Sequence, residues 1–202
     1  MSVPISLAGP TEAIYYWLPI VVVIGGNALF FFFCQFKKDN SWIDVIWGLT
    51  FLTGLLSVLF YKVANPVDLL LGDNYASVNP RNIIVTCMIA IWSLRLAFHI
   101  GLRHKSEDYR YVDMRNRWTE AGGQCGYYWR AFVYVFMLQG LFSLINNSSA
   151  LFIVIYSIDK TLYWTDYVGI AVWLFGFIFE WVGDEQLKYH LADRTPGKKK
   201  FI

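Results

Sequence analysis

The stretch IWSLRLAFHIGLRHKSEDYRY, Ile91 to Tyr111, decides the fold. It opens as an apolar run of the kind that crosses a membrane and ends in a dense burst of charge. Arg95, His99 and Arg103 are spaced i, i+4, i+8, so a helix puts all three on one face. At 1.5 Å per residue, Arg95 lies about 12 Å deeper than Arg103. An arginine at that depth costs at least about 2.5 kcal/mol unless it is paired or hydrated. The face is therefore expected to look into a bundle interior or a wet recess rather than at lipid.

The rest of the chain agrees with a membrane. Its 202 residues are 56% hydrophobic and only 16% charged, whereas a soluble domain carries about 25% charged residues. The net charge of +2 gives no grounds for nucleic-acid binding. The basic residues fall in local clusters, as residues flanking spans do. Cys34, Cys87 and Cys125 lie in or beside apolar stretches, without metal or disulfide spacing, and read as packing residues. His104 and His190 have no second ligand at metal spacing, so no metal is expected. No Lys or Arg precedes Lys37, so the first apolar stretch reads as a retained span, not a cleavable signal.

A bilayer-crossing helix needs about 20 mostly apolar residues. Tyr15–Phe36, Trp42–Tyr61 (with Ser41 as N-cap), Asn82–Leu102 and Trp164–Leu187 qualify directly. Trp129–Ile158 is too long for one straight crossing. Asn146, Asn147, Ser148 and Ser149 interrupt it, which predicts a helix, a break near an interface and a half-buried apolar segment. The expected fold is all-α: a polytopic transmembrane helix bundle of about five spans, one domain over residues 1–202. The Lys/Arg bias puts the N-terminus outside and the C-terminus inside. Lys37, Lys38, Arg103, Lys105, Arg110, Arg115, Arg117, Arg130, Lys188, Arg194, Lys198, Lys199 and Lys200 then lie inside. The outer loops keep Lys62, Arg81 and Lys160.

Partners for the cationic stripe lie on two other spans. Asp44 is near the inner end of the second. Glu180 and Asp184 are on the fifth at i, i+4, with Lys188 one turn further. Two acids at that spacing repel mildly unless a cation, a proton or a ligand sits between them. A polar pocket opening inward, roofed by the loop from Arg103 to Gly126, would reconcile these groups. A purely structural network of buried ion pairs would do so equally. The roof segment RHKSEDYRYVDMRNRW mixes arginines with Tyr109, Tyr111 and Trp118, a pairing that can clamp phosphate and stack on a base. The same composition suits a headgroup-facing loop. Gln139 can hydrogen-bond across helices.

Four blocks carry a resemblance: SWIDVIWG (Ser41–Gly48), WSLRLAFHIGLRHKSEDYRY (Trp92–Tyr111), Gln139 with Gly140, and GFIFEWVGDEQL (Gly176–Leu187). In this order they resemble the steroid 5-alpha-reductase-like membrane reductases, in the broad branch without an assigned steroid substrate. The resemblance implies an all-helical fold whose first five helices this chain matches. It also implies NADPH bound in a cavity on the cytosolic side, and hydride transfer to an activated carbon–carbon double bond of a lipid-like substrate. Carried over, it assigns Glu180 and Asp184 to the nicotinamide and ribose end of the cofactor. The block Glu107, Asp108, Tyr109, Arg110 and Tyr111 would also bind the cofactor, its arginine and tyrosines forming part of the phosphate-side roof. Asp44, Arg95, His99, Arg103 and Lys188 would support the pocket, and Gln139 would line its deeper part.

The chain departs from the family at RTPGKKKFI, Arg194 to Ile202. There the family continues into an Arg-His-Pro-Asn-Tyr motif and two more spans. A proline usual in the fourth segment is replaced by Asn146 or Asn147. The expectation is a non-catalytic membrane protein on a truncated reductase scaffold, an accessory subunit of a larger membrane assembly such as a respiratory one. A partner protein or lipid would cover the side left open, with no cofactor or only a bound lipid. The alternative is an NADPH-dependent reductase of a lipid or steroid-like substrate, its missing part supplied elsewhere. An integral protein of the mitochondrial inner membrane or endoplasmic reticulum fits either.

Overall fold

The computed structural model describes residues 10–65, 78–157 and 159–192. These are helical apart from short connections: α1 Pro10–Lys37, α2 Trp42–Ala64, α3 Pro80–Arg103, α4 Tyr109–Arg130, a π-helical turn Ala131–Met137, α5 Leu138–Tyr156 and α6 Trp164–Ala192. Five helical runs are long and apolar enough to cross a membrane. The all-α, five-span expectation therefore holds, with helices that extend a few residues beyond the predicted ends. The chain divides into two compact units, Met1–Lys160 and Thr161–Ile202.

In the first unit, α1, α2, α3 and α5 pack together. Small residues set the approach, because packing in lipid depends on close van der Waals contact. A Cβ on Gly54 would come within 2.9 Å of Val23, and one on Gly48 within 3.1 Å of the Ser93 carbonyl. Buried polar groups bridge the same helices. Thr50 and Ser143 share a hydroxyl–hydroxyl bond of 2.7 Å. Asn147 Nδ2 donates to the Phe51 carbonyl at 2.9 Å.

That last bond explains a correction. The break expected at Asn146–Ser149 is absent, and α5 runs unbroken through it to Tyr156. The polar cluster reads as an interruption only if it faces lipid. Asn147 is instead buried against α2. The irregularity lies one helix earlier, in the π-helical turn. There the Phe136 carbonyl accepts from Asn27 Nδ2 of α1 at 3.0 Å. Polar groups in membrane helices need such partners.

The roof expected as a loop from Arg103 to Gly126 is also corrected. Only His104–Asp108 is non-helical before α4 begins. Asp108 caps α4 by accepting from the Arg110 amide. Within α4, Gly122 (φ −157°) and Gly123 (φ +65°, ψ −170°) leave helical geometry. Tyr111 and Gln139 then approach to 3.4 Å, although 28 residues of straight helix would separate them by about 42 Å. The run is therefore a hairpin that reverses at the two glycines. Tyr111 turns inward from its first arm, with Met114 and Trp118 packed on the same core as Phe31, Ile43, Tyr127 and Phe136.

At the opposite end, Asn79 caps α3 reciprocally with Asn82. The buried Lys62 donates to the Val154 carbonyl at 2.9 Å, placing a cation near the C-terminal end of α5. Ser41 precedes α2 as expected but makes no side-chain cap. Its hydroxyl instead donates to Asp39 at 2.6 Å and accepts from the Asp108 amide at 3.2 Å.

Candidate functional site

The C-terminal ends of α1 and α3 and the N-terminal ends of α2 and α4 meet at one end of the first unit. Lys38 makes the reversal between α1 and α2 with φ +55°. Around that turn, Asp39 faces His104 at 2.9 Å, and the His104 ring lies against Trp42. Glu107 accepts from the Asn40 amide at 2.8 Å and from Arg115 at 2.6 Å. Arg115 also donates to the Lys38 carbonyl at 2.9 Å and lies over the Tyr127 ring. Behind it, Asn40 Nδ2 donates to Tyr127, and Tyr127 donates to Gln35.

Asp44, in the first turn of α2, is the centre of a second network. Its Oδ1 accepts from the Tyr111 hydroxyl at 2.7 Å and from Gln139 Nε2 at 3.2 Å. Its Oδ2 accepts from Arg110 at 3.2 Å. Arg110 also clasps Asp108, through Nε at 3.0 Å and Nη2 at 3.1 Å. That pairing holds the Asp108 carboxyl below its ordinary value. Burial raises Glu107 above its ordinary value, against the opposing pull of the Asn40 amide and Arg115.

Beside this network lies a cleft of about 600 Å³, whose lining includes Asp44, Trp47, Arg103, Lys105, Asp108 and Arg110. Arg103 pairs with His99 at 3.0 Å. Buried Trp47 Nε1 and Gln139 Oε1 have no hydrogen-bond partner.

The structure thus brings together Asp44, Glu107, Asp108, Arg110, Tyr111 and Gln139, and places Arg103 and Tyr109 at the adjoining cleft. Arg95 and His99 lie on α3 of the same unit. Glu180, Asp184 and Lys188 belong to α6 of the second unit, where Lys188 pairs with Glu185 at 3.3 Å. Sequence reasoning missed His104 with Asp39, Arg115 and Tyr127. Arg115 stood within the quoted roof segment, but nothing in its spacing pointed to Glu107.

The residues assigned to a phosphate roof can be tested for that use. A phosphate needs available donors in a fixed fork. Arg110 is committed to Asp108 and Asp44, and Tyr111 is buried with its hydroxyl on Asp44. As held here, the hydroxyl of Tyr111 and the Nε–Nη2 edge of Arg110 are already engaged by carboxylates and not turned to a phosphate.

A family model described as "Protein of unknown function (DUF1295)" matches residues 30–200. No curated protein and no solved structure matches the chain.

Proposed function

The chain belongs to the DUF1295 family, which is associated with steroid 5-alpha-reductase-like proteins, and on that premise we propose that it works as a non-catalytic membrane scaffold. One observation carries the reading: the ionisable groups at the cleft end brace the helix ends against one another. Arg110 bridges the start of α4 to α2, and Arg115 ties the first arm of the hairpin to the α1–α2 turn. In this role the protein is an accessory subunit of a larger membrane assembly. Leu29, Phe32 and Phe36 of α1 are exposed and supply an apolar face for lipid or a neighbouring helix. Lys37, Lys38, Arg103, Lys105, Arg110, Arg115 and Arg117 cluster toward the cleft end, which we assign to the inner side by the positive-inside bias.

The second reading is an NADPH-dependent reductase of a carbon–carbon double bond in a lipid or steroid-like substrate. The unsatisfied Gln139 Oε1 beside Asp44 favours it, since a buried acceptor without a donor suits a ligand. In that reading Glu180 and Asp184 hold the nicotinamide end. Isothermal titration of the detergent-solubilised full chain with NADPH separates the two. The scaffold predicts no saturable heat, together with co-purification in a defined complex. Saturable binding that is lost in Asp184→Ala would sink the scaffold reading in its simple form.

A further inference from the structure

We propose that the elbow of the α4 hairpin holds an anionic phospholipid, its phosphate on Arg130 and one acyl chain along the exposed face of the run that follows. The inference is independent of both functional readings and concerns the end of the hairpin away from Asp44.

Arg130 is a cation with donors to spare. Its Nη1 donates to the Trp118 carbonyl of the first arm at 3.3 Å. It also stands 3.2 Å from where a Cβ on Gly122 would be, so the guanidinium is seated in the elbow. Nε and Nη2 make no hydrogen bond with the described residues and, unlike the Nε of Arg115, are not enclosed by protein. Arg130 forms no ion pair among the described residues. Glu120, the nearest acid in sequence, is exposed and not joined to it. The other cation of the first arm near the elbow, Arg117, is held by Asp113 at 3.0 Å. An open guanidinium edge fixed in place suits the paired oxygens of a phosphate.

Depth selects a lipid as the source of that phosphate. Tyr127 donates to Gln35 at 3.0 Å, close to the end of the α1 span at Lys37. Arg130 follows Tyr127 by about 4.5 Å along the run, which puts it near the level where headgroups lie. Tyr128 and Trp129 beside it are exposed, as aromatic residues at a membrane boundary are.

Below the cation lies an apolar track. Trp118, whose carbonyl takes the Arg130 donor, also meets the Tyr134 ring, with centroids 6.4 Å apart. Arg130 and Tyr134 therefore flank one residue of the first arm. About one turn beyond Tyr134, Leu138, Leu141 and Ile145 follow at i, i+3, i+7, on one face of α5. Tyr134 and all three are exposed. A free anion would use only the cation and a hydrocarbon only the track, whereas a phospholipid uses both. Choline would bring a second cation beside Arg130, which favours a headgroup with net negative charge.

Native mass spectrometry of the full chain, released from nanodiscs holding equal phosphatidylglycerol and phosphatidylcholine with matched acyl chains, reads the site. Wild type should retain phosphatidylglycerol over phosphatidylcholine by at least about fivefold. Arg130→Gln should abolish the preference. Arg130→Lys keeps the charge without the fork and should leave an intermediate preference. Arg117→Ala removes an equal charge from the same hairpin, one that Asp113 already holds, and should leave the preference unchanged. Far-ultraviolet circular dichroism verifies each fold, and should Arg130→Gln fail it, the contrast of Arg130→Lys with Arg117→Ala still decides. Equal retention of the two lipids by wild type, a preference that survives Arg130→Gln, or an equal loss in Arg130→Lys and Arg117→Ala overturns the proposal. So does displacement of the lipid by millimolar inorganic phosphate, which would make the elbow a simple anion site.

Discussion

Tyr111 and Gln139, 28 positions apart on one helical run, both donate to the same oxygen of Asp44, at 2.7 and 3.2 Å. The contact exists because the run reverses at Gly122 and Gly123, and it ties both arms of the hairpin to α2. Removing the carboxylate's partners should therefore loosen the hairpin. Tyr111→Phe and Gln139→Leu should each cost about 1–3 kcal/mol. Because they share a partner, the double variant should depart from additivity by about 0.5 kcal/mol or more. Thermal unfolding in detergent measures all three, and strict additivity would separate the two contacts.

The reversal depends on one backbone conformation. Gly123 combines φ +65° with ψ −170°, a region that side chains avoid at a cost of about 1–3 kcal/mol. Gly123→Ala should lose stability on that scale. Gly122→Ala should cost less, because its φ of −157° lies outside the left-handed region and its Cβ would meet only the tip of Arg130, at 3.2 Å. Equal losses for the two variants would mean that the turn is set by something other than Gly123.

A close approach of α1 to α5 gives a similar contrast. A Cβ on Gly140 would stand 2.8 Å from Asn27 Nδ2 and 3.0 Å from Ile24. Asn27 holds the Phe136 carbonyl of the π-helical turn, so it cannot retreat without losing that bond. Gly140→Ala should destabilise by about 1–3 kcal/mol. Gly25→Ala meets nothing within 4 Å and should stabilise α1 by up to about 1 kcal/mol. Differential scanning fluorimetry ranks the pair, and a stabilising Gly140→Ala would contradict the packing.

The Glu107–Asp108 pair sets opposite pH limbs. Arg110 holds Asp108 below its ordinary 3.8. A depressed carboxyl contributes stability that is present above the unfolded value and lost as pH falls through the folded one. Burial holds Glu107 above its ordinary 4.5. Its protonated form is favoured in the folded chain, so stability falls as pH rises through the window just above 4.5. Asp108→Asn keeps an N-cap and should remove the acid limb below 3.8. Glu107→Gln should flatten the upper limb. Unfolding midpoints across pH test this, and an unchanged acid limb in Asp108→Asn would refute the assignment.

The spans were legible because each is a run of apolar residues near the length of a bilayer crossing, and that signal survives ignorance of the partners. The hairpin was not, although its sign was present in TEAGGQCG, Thr119 to Gly126. Adjacent glycines between helical stretches permit a reversal, but charge on both sides made the segment look like a loop. Asn146–Ser149 misled for the opposite reason: a polar cluster says nothing about which face it occupies, and Asn147 faces α2. Asp44, Arg110, Tyr111 and Gln139 stood out individually as ionisable or polar groups near membrane depth. Their meeting required the fold, since 95 residues separate Asp44 from Gln139.

The central claim is that Arg110 braces Asp44 and Asp108 and does not grip a cofactor. Thermal unfolding of wild type and Arg110→Ala, each with and without millimolar NADPH, tests it most directly, because a ligand that binds only the folded state raises its midpoint. The account predicts a lower midpoint for Arg110→Ala and no NADPH shift in either protein. A wild-type midpoint that rises with NADPH, and a shift that disappears in Arg110→Ala, would contradict it.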